Sequence, residues 1–429
     1  MTVFTRISFA TLAIVATASA AAAQSIAIIG GKVYPVSGPA IEHGTVLIRD
    51  GKIVAVGAGV PIPADAKRID ATGKWVTPGL VNAATQFGLF DVGFGAGSSD
   101  VSARGSGNGL TPSFTAWEGV NPNSVYLAPA RDEGITSVLT APGGGMIGGQ
   151  AAMLDLVDGT VGDMLIKAPV AMVGTLDDPS AGKLGARAEM FAKLRELIED
   201  TKAFMRHRAD FERNGTRPFA VGRVDLEAMI PVVEGRVPLA LQVNRESDID
   251  AALRLAKQYS LKLIIIGAAE GWRMAPRIAQ AKIPVMAGAM NNIPSTFNSL
   301  GQRQETPGML RKAGVDVAII GNAGGGDEEQ FNIRNIRQEA GNAVAYGMSW
   351  DDALRAVTLT PAELFGVADK IGSLRAGREA NVVVWSADPF EFGTRAEHVL
   401  IRGKEIADQT RQDELTNRYR TLPPNYKKP

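Results

Sequence analysis

Apolar residues fall along this chain in two rhythms. Near the start, GTVLIRDGKIVAVG (44–57) carries two apolar runs around Asp50-Gly51, a pair that tolerates positive φ and predicts a hairpin. Short strand-like runs continue as far as KWVTPG (74–79), where proline and glycine close the block. The texture then changes. ITSVLTAP (135–142), APVAMVGT (168–175), VPLALQVN (237–244), LKLIIIGA (261–268), IPVMAGAM (283–290) and VDVAIIGN (315–322) are apolar without alternation. Such runs predict strands buried on both faces of a parallel sheet. Between them lie helical patterns, among them EMFAKLRELIEDTKAFMRHR (189–208) and DIDAALRLAKQY (248–259). The first rhythm returns in GREANVVVWSADPF (377–390) and EHVLIRGKEI (397–406).

Six or more strand–helix units over about 290 residues fit a (β/α)8 TIM-like barrel better than an open sheet. The two outer blocks predict one small β-sandwich domain built from both termini, residues 24–77 plus 371–408, with a barrel at 78–370 inserted into it and a C-terminal tail at 409–429. Chemistry in such barrels sits at the C-terminal ends of the strands. Those ends are Asn82 to Gly88, Asn244, Gly267, Met290 and Asn322.

Composition narrows the function. Lys plus Arg and Asp plus Glu number 45 each, so no charge excess points to nucleic acid or to an acidic tail. There is no cysteine, which excludes disulfides and thiolate metal sites. His43, His207 and His398 are the only histidines. None belongs to a predicted barrel strand end, and all three read as surface or half-buried side chains. MTVFTRISFATLAIVATASAAAAQS has one basic residue, Arg6, then a short apolar run and small residues. That is the pattern of a secretory signal over residues 1–23, cut after Ala23. The expectation is a secreted chain, periplasmic in a Gram-negative source. No later segment is apolar and long enough for a membrane span.

VLIRDGKIVAVG and IDATGKWVTPGLVNA, GITSVLTAPGGGMIGGQAAMLDL (134–156) and AYGMSWDDALRAVTLTPAELFGVADKIGSLRAGREANVVVW (345–385) follow one another in a characteristic order. In them the chain resembles the amidohydrolase superfamily, in particular secreted members related to imidazolonepropionase and the metal-dependent dipeptidases. The resemblance covers nearly the whole mature chain. It implies a barrel holding one or two divalent metals such as zinc, and hydrolysis of C–N bonds in cyclic amides or dipeptides.

At the metal positions the chain departs from that pattern. The resemblance implies a His-x-His pair where Ala84-Thr85-Gln86 stands, histidines at Asn244 and Gly267, and an aspartate at Asn322. Asp177 and Asp178 lie near a carboxylate-bearing turn of the relatives, and the bridging position after the fourth strand has no clear counterpart. Zinc takes imidazole, thiolate or carboxylate donors. Alanine and glycine donate nothing, and neutral amides are weak zinc ligands. Asn322 cannot take a proton from an attacking water as an aspartate would.

Two functions follow. The first is a non-catalytic protein without a cofactor, binding a small-molecule ligand in the vacated pocket, pairing with an active paralogue or forming a homo-oligomer. The second is a working C–N hydrolase, recruiting a divalent metal or using Glu227 or Glu270 as a metal-free base. Glu270 reads equally as a cap for the helix starting near Trp272. Weaker signals are the Gly-rich PGGGMIGG (142–149), read as an active-site loop, the pair Asn291-Asn292, and a carboxylate cluster at Asp327, Glu328 and Glu329. The first two could line the barrel mouth; the third reads as a solvated loop tip.

Overall fold

The hairpin expected at Asp50-Gly51 forms, with φ of +53° and +75° at its two turn residues. It joins β2 to β3 in the run β1 (Ile26–Val33), β2 (Ile41–Arg49), β3 (Lys52–Gly57), β4 (Lys67–Asp70) and β5 (Trp75–Pro78). The structure is a computed structural model. It describes residues 25–91, 99–103, 109–177, 184–290, 293–294, 296–321, 332–407 and 411–420. The signal segment, Asp178, Asn291-Asn292, Asn322 and the Asp327–Glu329 cluster lie outside the described residues.

Eight strands then build the barrel: β6 (Leu80–Thr85), β7 (Ile135–Thr140), β8 (Gly149–Asp155), β9 (Leu165–Thr175), β10 (Leu239–Val243), β11 (Leu263–Gly267), β12 (Val285–Ala287) and β13 (Val317–Ile319). They pair in sequence order. β13 comes within 8 Å of β6, Cα to Cα, so the sheet nearly closes on itself. One strand departs from the expected parallel arrangement: β8 runs antiparallel to both β7 and β9. The reason is chain length. A parallel crossover needs a dozen or more residues, and the links at 141–148 and 156–164 are shorter. β8 starts at Gly149, the last residue of the Gly-rich segment read as a loop, and is buried along most of its length.

From β9 onward helices cover the outside. Helix Glu246–Tyr259 shows why: Ile249, Ala252, Leu253, Ala256 and Tyr259 recur at helical spacing and are buried, while Arg254 and Lys257 face outward. The interior is lined by small residues, Ala83, Ala151, Ala171, Ala240 and Ala318, among Val81, Leu139, Met153 and Met286. Phe365, Val367 and Ile371 of the segment leaving the barrel pack into the same cluster.

The chain ends in β14 (Val382–Trp385), β15 (Ala396–Ile401) and β16 (Lys404–Ile406). β14 pairs antiparallel with β5, giving the order β16-β15-β14-β5-β1-β2-β3 with β4 on β1. The architecture is thus a TIM-like barrel set into a β-sandwich domain made from both ends of the chain. A buried clasp ties the two together. Asp155 of β8 accepts from Ser137 Oγ at 2.7 Å, Asn381 Nδ2 at 2.8 Å and Arg402 Nε at 2.7 Å.

Candidate functional site

Small side chains on the inward faces of β6, β7, β9 and β10 leave space at the C-terminal end of the barrel. A cavity of about 300 Å³ opens there. Its walls are Ala83, Ala84, Val173, Ala240, Ile266 and Met286, with Phe365 also contributing to the lining. Its polar groups are Thr85, Thr175, Gln86, Gln242 and the backbone of Gly143 and Gly144, and no charged side chain lines it among the described residues. The glycine loop is held in place: Gly143 N–H donates to Val101 O at 2.7 Å and Gly148 N–H to Val173 O at 2.8 Å. A Cβ on Gly143 would collide with Gln86 Nε2, so glycine there lets the amide into the cavity. The amides of Gln86 and Gln242 make no hydrogen bond to another described residue.

Of the positions read from the sequence, Ala84 and Gln86 line this cavity. Asn244 and Gly267 lie beside each other at the ends of β10 and β11, outside the lining. Asn82, expected at the mouth, is buried and donates Nδ2 to Ile333 O at 3.0 Å on the barrel's outer side. It alternates with Val81 and Ala83, which take the inward face.

Two weak candidates are corrected. Glu227 sits on helix Arg223–Val233, held by Arg208 at 2.5 Å and Arg223 at 3.1 Å, away from the cavity. Glu270 is at the N-cap of helix Gly271–Ala281 but makes no bond to that helix. Its Oε2 accepts from Glu246 N–H at 2.8 Å, so it caps the neighbouring helix instead. The histidines also stay clear of the cavity: His43 is in β2, His207 ends helix Arg187–Arg206, and His398 Nδ1 lies 2.7 Å from Glu405.

Asp177, two residues beyond β9, is the one described carboxylate candidate at a strand end. Asn244 Nδ2 donates to its Oδ2 at 2.8 Å, and its Oδ1 is buried with no partner among the described residues. Burial pushes the carboxyl above the usual aspartate range, against the Asn244 hydrogen bond and the nearby Arg187. Arg187 pairs with Asp248 at 3.0 Å and also donates to the Asp177 carbonyl at 2.9 Å. Asn244 is committed at both ends, since its Oδ1 accepts from Ala269 N–H at 3.1 Å. The Asn244–Asp177 bond joins residues 67 apart, and no local sequence signal announces it.

The sequence profile of the Amidohydrolase family matches residues 299–406. The crystal structure of an amidohydrolase from Thermotoga maritima MSB8 superposes with a TM-score of 0.80 at 27% identity, covering 90% of this chain and all of that one. Imidazolonepropionase of Bradyrhizobium diazoefficiens is 25% identical over 370 residues, 81% of this chain and 88% of that protein. Amidohydrolase tasK of Hapsidospora irregularis is 24% identical over 396 residues, 84% of this chain. The match spans only 39% of the length of tasK.

Proposed function

From a chain that belongs to the amidohydrolase superfamily, we infer a protein that uses its barrel mouth to bind a small uncharged ligand and performs no metal-dependent hydrolysis. The carrying observation is the cavity lining. Two primary amides with no hydrogen-bond partner among the described residues, Gln86 and Gln242, stand among alanine, valine, isoleucine and methionine walls. Amide side chains offer a donor and an acceptor each and no charge. They complement an amide, imide or urea, whereas a carboxylate ligand would meet no cation in the described wall. A cavity of about 300 Å³ is at the small end of ligand sites.

The donor set supports the absence of a resident metal. A zinc site of this kind takes about three protein donors near 2 Å. Ala84 and Gly267 have none to give, and both ends of the Asn244 amide are already bonded. Among the described residues no three His, Cys, Asp or Glu side chains come together in a metal-sized group. The residues present do not fit the metal that the family resemblance implies. We extend the reading to location and partners: the 1–23 segment directs secretion, and the chain acts outside the cytoplasm as a binding subunit, alone or beside an active relative.

A second reading, C–N hydrolysis, is favoured by Asp177. A buried carboxyl with an elevated pKa and one unpartnered oxygen suits general acid–base work.

The test pairs elemental analysis by mass spectrometry with calorimetric titration of hydantoin, an uncharged cyclic amide. Binding that saturates, weakens in Gln86→Leu and Gln242→Leu, and occurs without stoichiometric metal is the expected result. One equivalent of transition metal together with chelator-sensitive amide hydrolysis would reject it. Metal-free hydrolysis abolished by Asp177→Asn would establish the second reading.

A further inference from the structure

The barrel strands begin with a repeated step. Lys167-Ala168-Pro169, Arg236-Val237-Pro238 and Lys282-Ile283-Pro284 each place a cation two residues before a proline, within the first half of β9 and immediately ahead of β10 and β12. Lys262 stands one residue ahead of β11. All four cations line a cavity of about 600 Å³ at the N-terminal end of the barrel. Phe365 contributes to the walls of both this cavity and the one holding Gln86, and so lies between them.

Charge in this cavity is unbalanced. Arg236 is neutralised by Glu234 at 2.5 Å. The one carboxylate in the described wall, Glu363, is taken by Arg355 through both oxygens at 2.7 Å. Lys167 is steered by two carbonyls, with Nζ 3.4 Å from Phe365 O and 3.2 Å from Gly366 O. Gly366 allows that approach, because a Cβ there would stand 2.9 Å from Nζ. Lys262 and Lys282 have no hydrogen-bond or ion-pair partner among the described residues. Among the described residues, three exposed ammonium groups therefore have no carboxylate partner, in a chain whose acids and bases are equal in number.

We propose that this cavity is a second binding site, for a small, multiply charged oxyanion, with Lys167, Lys262 and Lys282 as its cations. Helix ends account for single cations here. Helices Arg223–Val233, Glu246–Tyr259 and Gly271–Ala281 finish at this face, and a cation at each C-terminus is favourable. A helix end carries only roughly half a unit of negative charge, so the three ends together carry roughly one and a half units, and three whole charges still outweigh them. Nor do helix ends explain why the lysines surround one hollow with an apolar floor of Val170, Ile264 and Phe365. Walls of low polarizability strengthen the attraction. The prolines remove N–H donors from the strand starts, which leaves recognition to the ammonium groups.

The experiment titrates the mature chain with inorganic pyrophosphate and, separately, with citrate, by isothermal calorimetry at low and at about 0.15 M ionic strength. We expect saturable binding at one site that weakens with salt. Lys262→Gln with Lys282→Gln should weaken it by about tenfold or more while the ligand-free melting curve matches the parent's. Tighter binding of pyrophosphate assigns the ligand to phosphate compounds, and tighter binding of citrate to polycarboxylates. No saturable heat with either anion, or unchanged affinity in the double variant, overturns the proposal. Should the double variant fail to fold, the two single variants serve, each expected to lose about threefold.

Discussion

The side-chain oxygen of Asn244 lies 2.5 Å from the point where a Cβ on Gly267 would stand. Gly267 also has φ of +89°, a conformation that costs any other residue. The two positions at which the family resemblance implies histidines are thus interlocked, one side chain filling the space that the other lacks. Gly267→Ala should cost about 2–3 kcal/mol in urea unfolding, from the strained backbone and the collision together. In an Asn244→Ala background the collision part disappears, so the same substitution should cost measurably less. Equal costs in both backgrounds would show that the contact carries no energy.

The same interlock limits what can be rebuilt. Ala84→His with Gln86→His supplies two imidazoles at the end of β6, one short of the about three donors a zinc ion takes. Asn244 is held by Asp177 and Ala269, and Gly267 has no side chain. The double variant should purify with substoichiometric zinc, and chelator should leave its melting temperature unchanged. A full equivalent of zinc, with a melting point that drops on stripping as linkage requires, would refute the account of the site.

The clasp between the barrel and the β-sandwich domain is a buried, fully directed polar contact. Asp155 is fully buried and receives three donors from Ser137, Asn381 and Arg402. Removing it takes an acceptor from the Asn381 amide, which keeps only Ser137 Oγ at 3.3 Å, and from the Arg402 guanidinium, whose other bond goes to Asp163 O at 2.7 Å. Asp155→Ala should therefore destabilise by about 3 kcal/mol or more, read as a lower midpoint in denaturant with unchanged slope. A loss under about 0.5 kcal/mol, the range of an ordinary surface substitution, would mean the clasp is dispensable.

What the sequence made legible depended on whether the signal was local. The Asp50-Gly51 hairpin is written in two adjacent residues, and Val382–Trp385 in an apolar run, so both could be read directly. The runs at 237–244 and 261–268 became β10 and β11 for the same reason. β8 escaped because GQAAMLD has weak strand propensity, and its structure comes from pairing with β7 and β9 on either side. At the site, Ala84 and Gln86 were legible from their place after the first barrel strand. Asn82 was misread because being on a strand end does not say which face a residue takes. The bond from Asn244 to Asp177, the turn of Glu270 toward helix Glu246–Tyr259, and the lysines gathered at the opposite end of the barrel all arise from tertiary packing.

Asp177 gives the fold a pH dependence with a definite sign. Its carboxyl is raised, first by burial, while Asn244 and Arg187 pull it down and Asp248 adds to the rise. An unfolded aspartate titrates near about 3.9. Below that value both states are protonated, and the group's full contribution to stability is present. As pH rises, the unfolded chain ionises before the folded one, and that contribution is lost as pH passes through the folded pKa. Asparagine at this position keeps an oxygen for the Asn244 Nδ2 donor and does not titrate. The melting temperature of Asp177→Asn, measured from about pH 4 to neutrality, should therefore improve steadily relative to the parent. Parallel curves would rule out an elevated carboxyl. The same variant separates the two functional readings: hydantoin affinity should persist if the barrel mouth only binds, since Asp177 is outside its lining, whereas any metal-free hydrolysis that depends on this carboxyl should vanish while the ligand still binds.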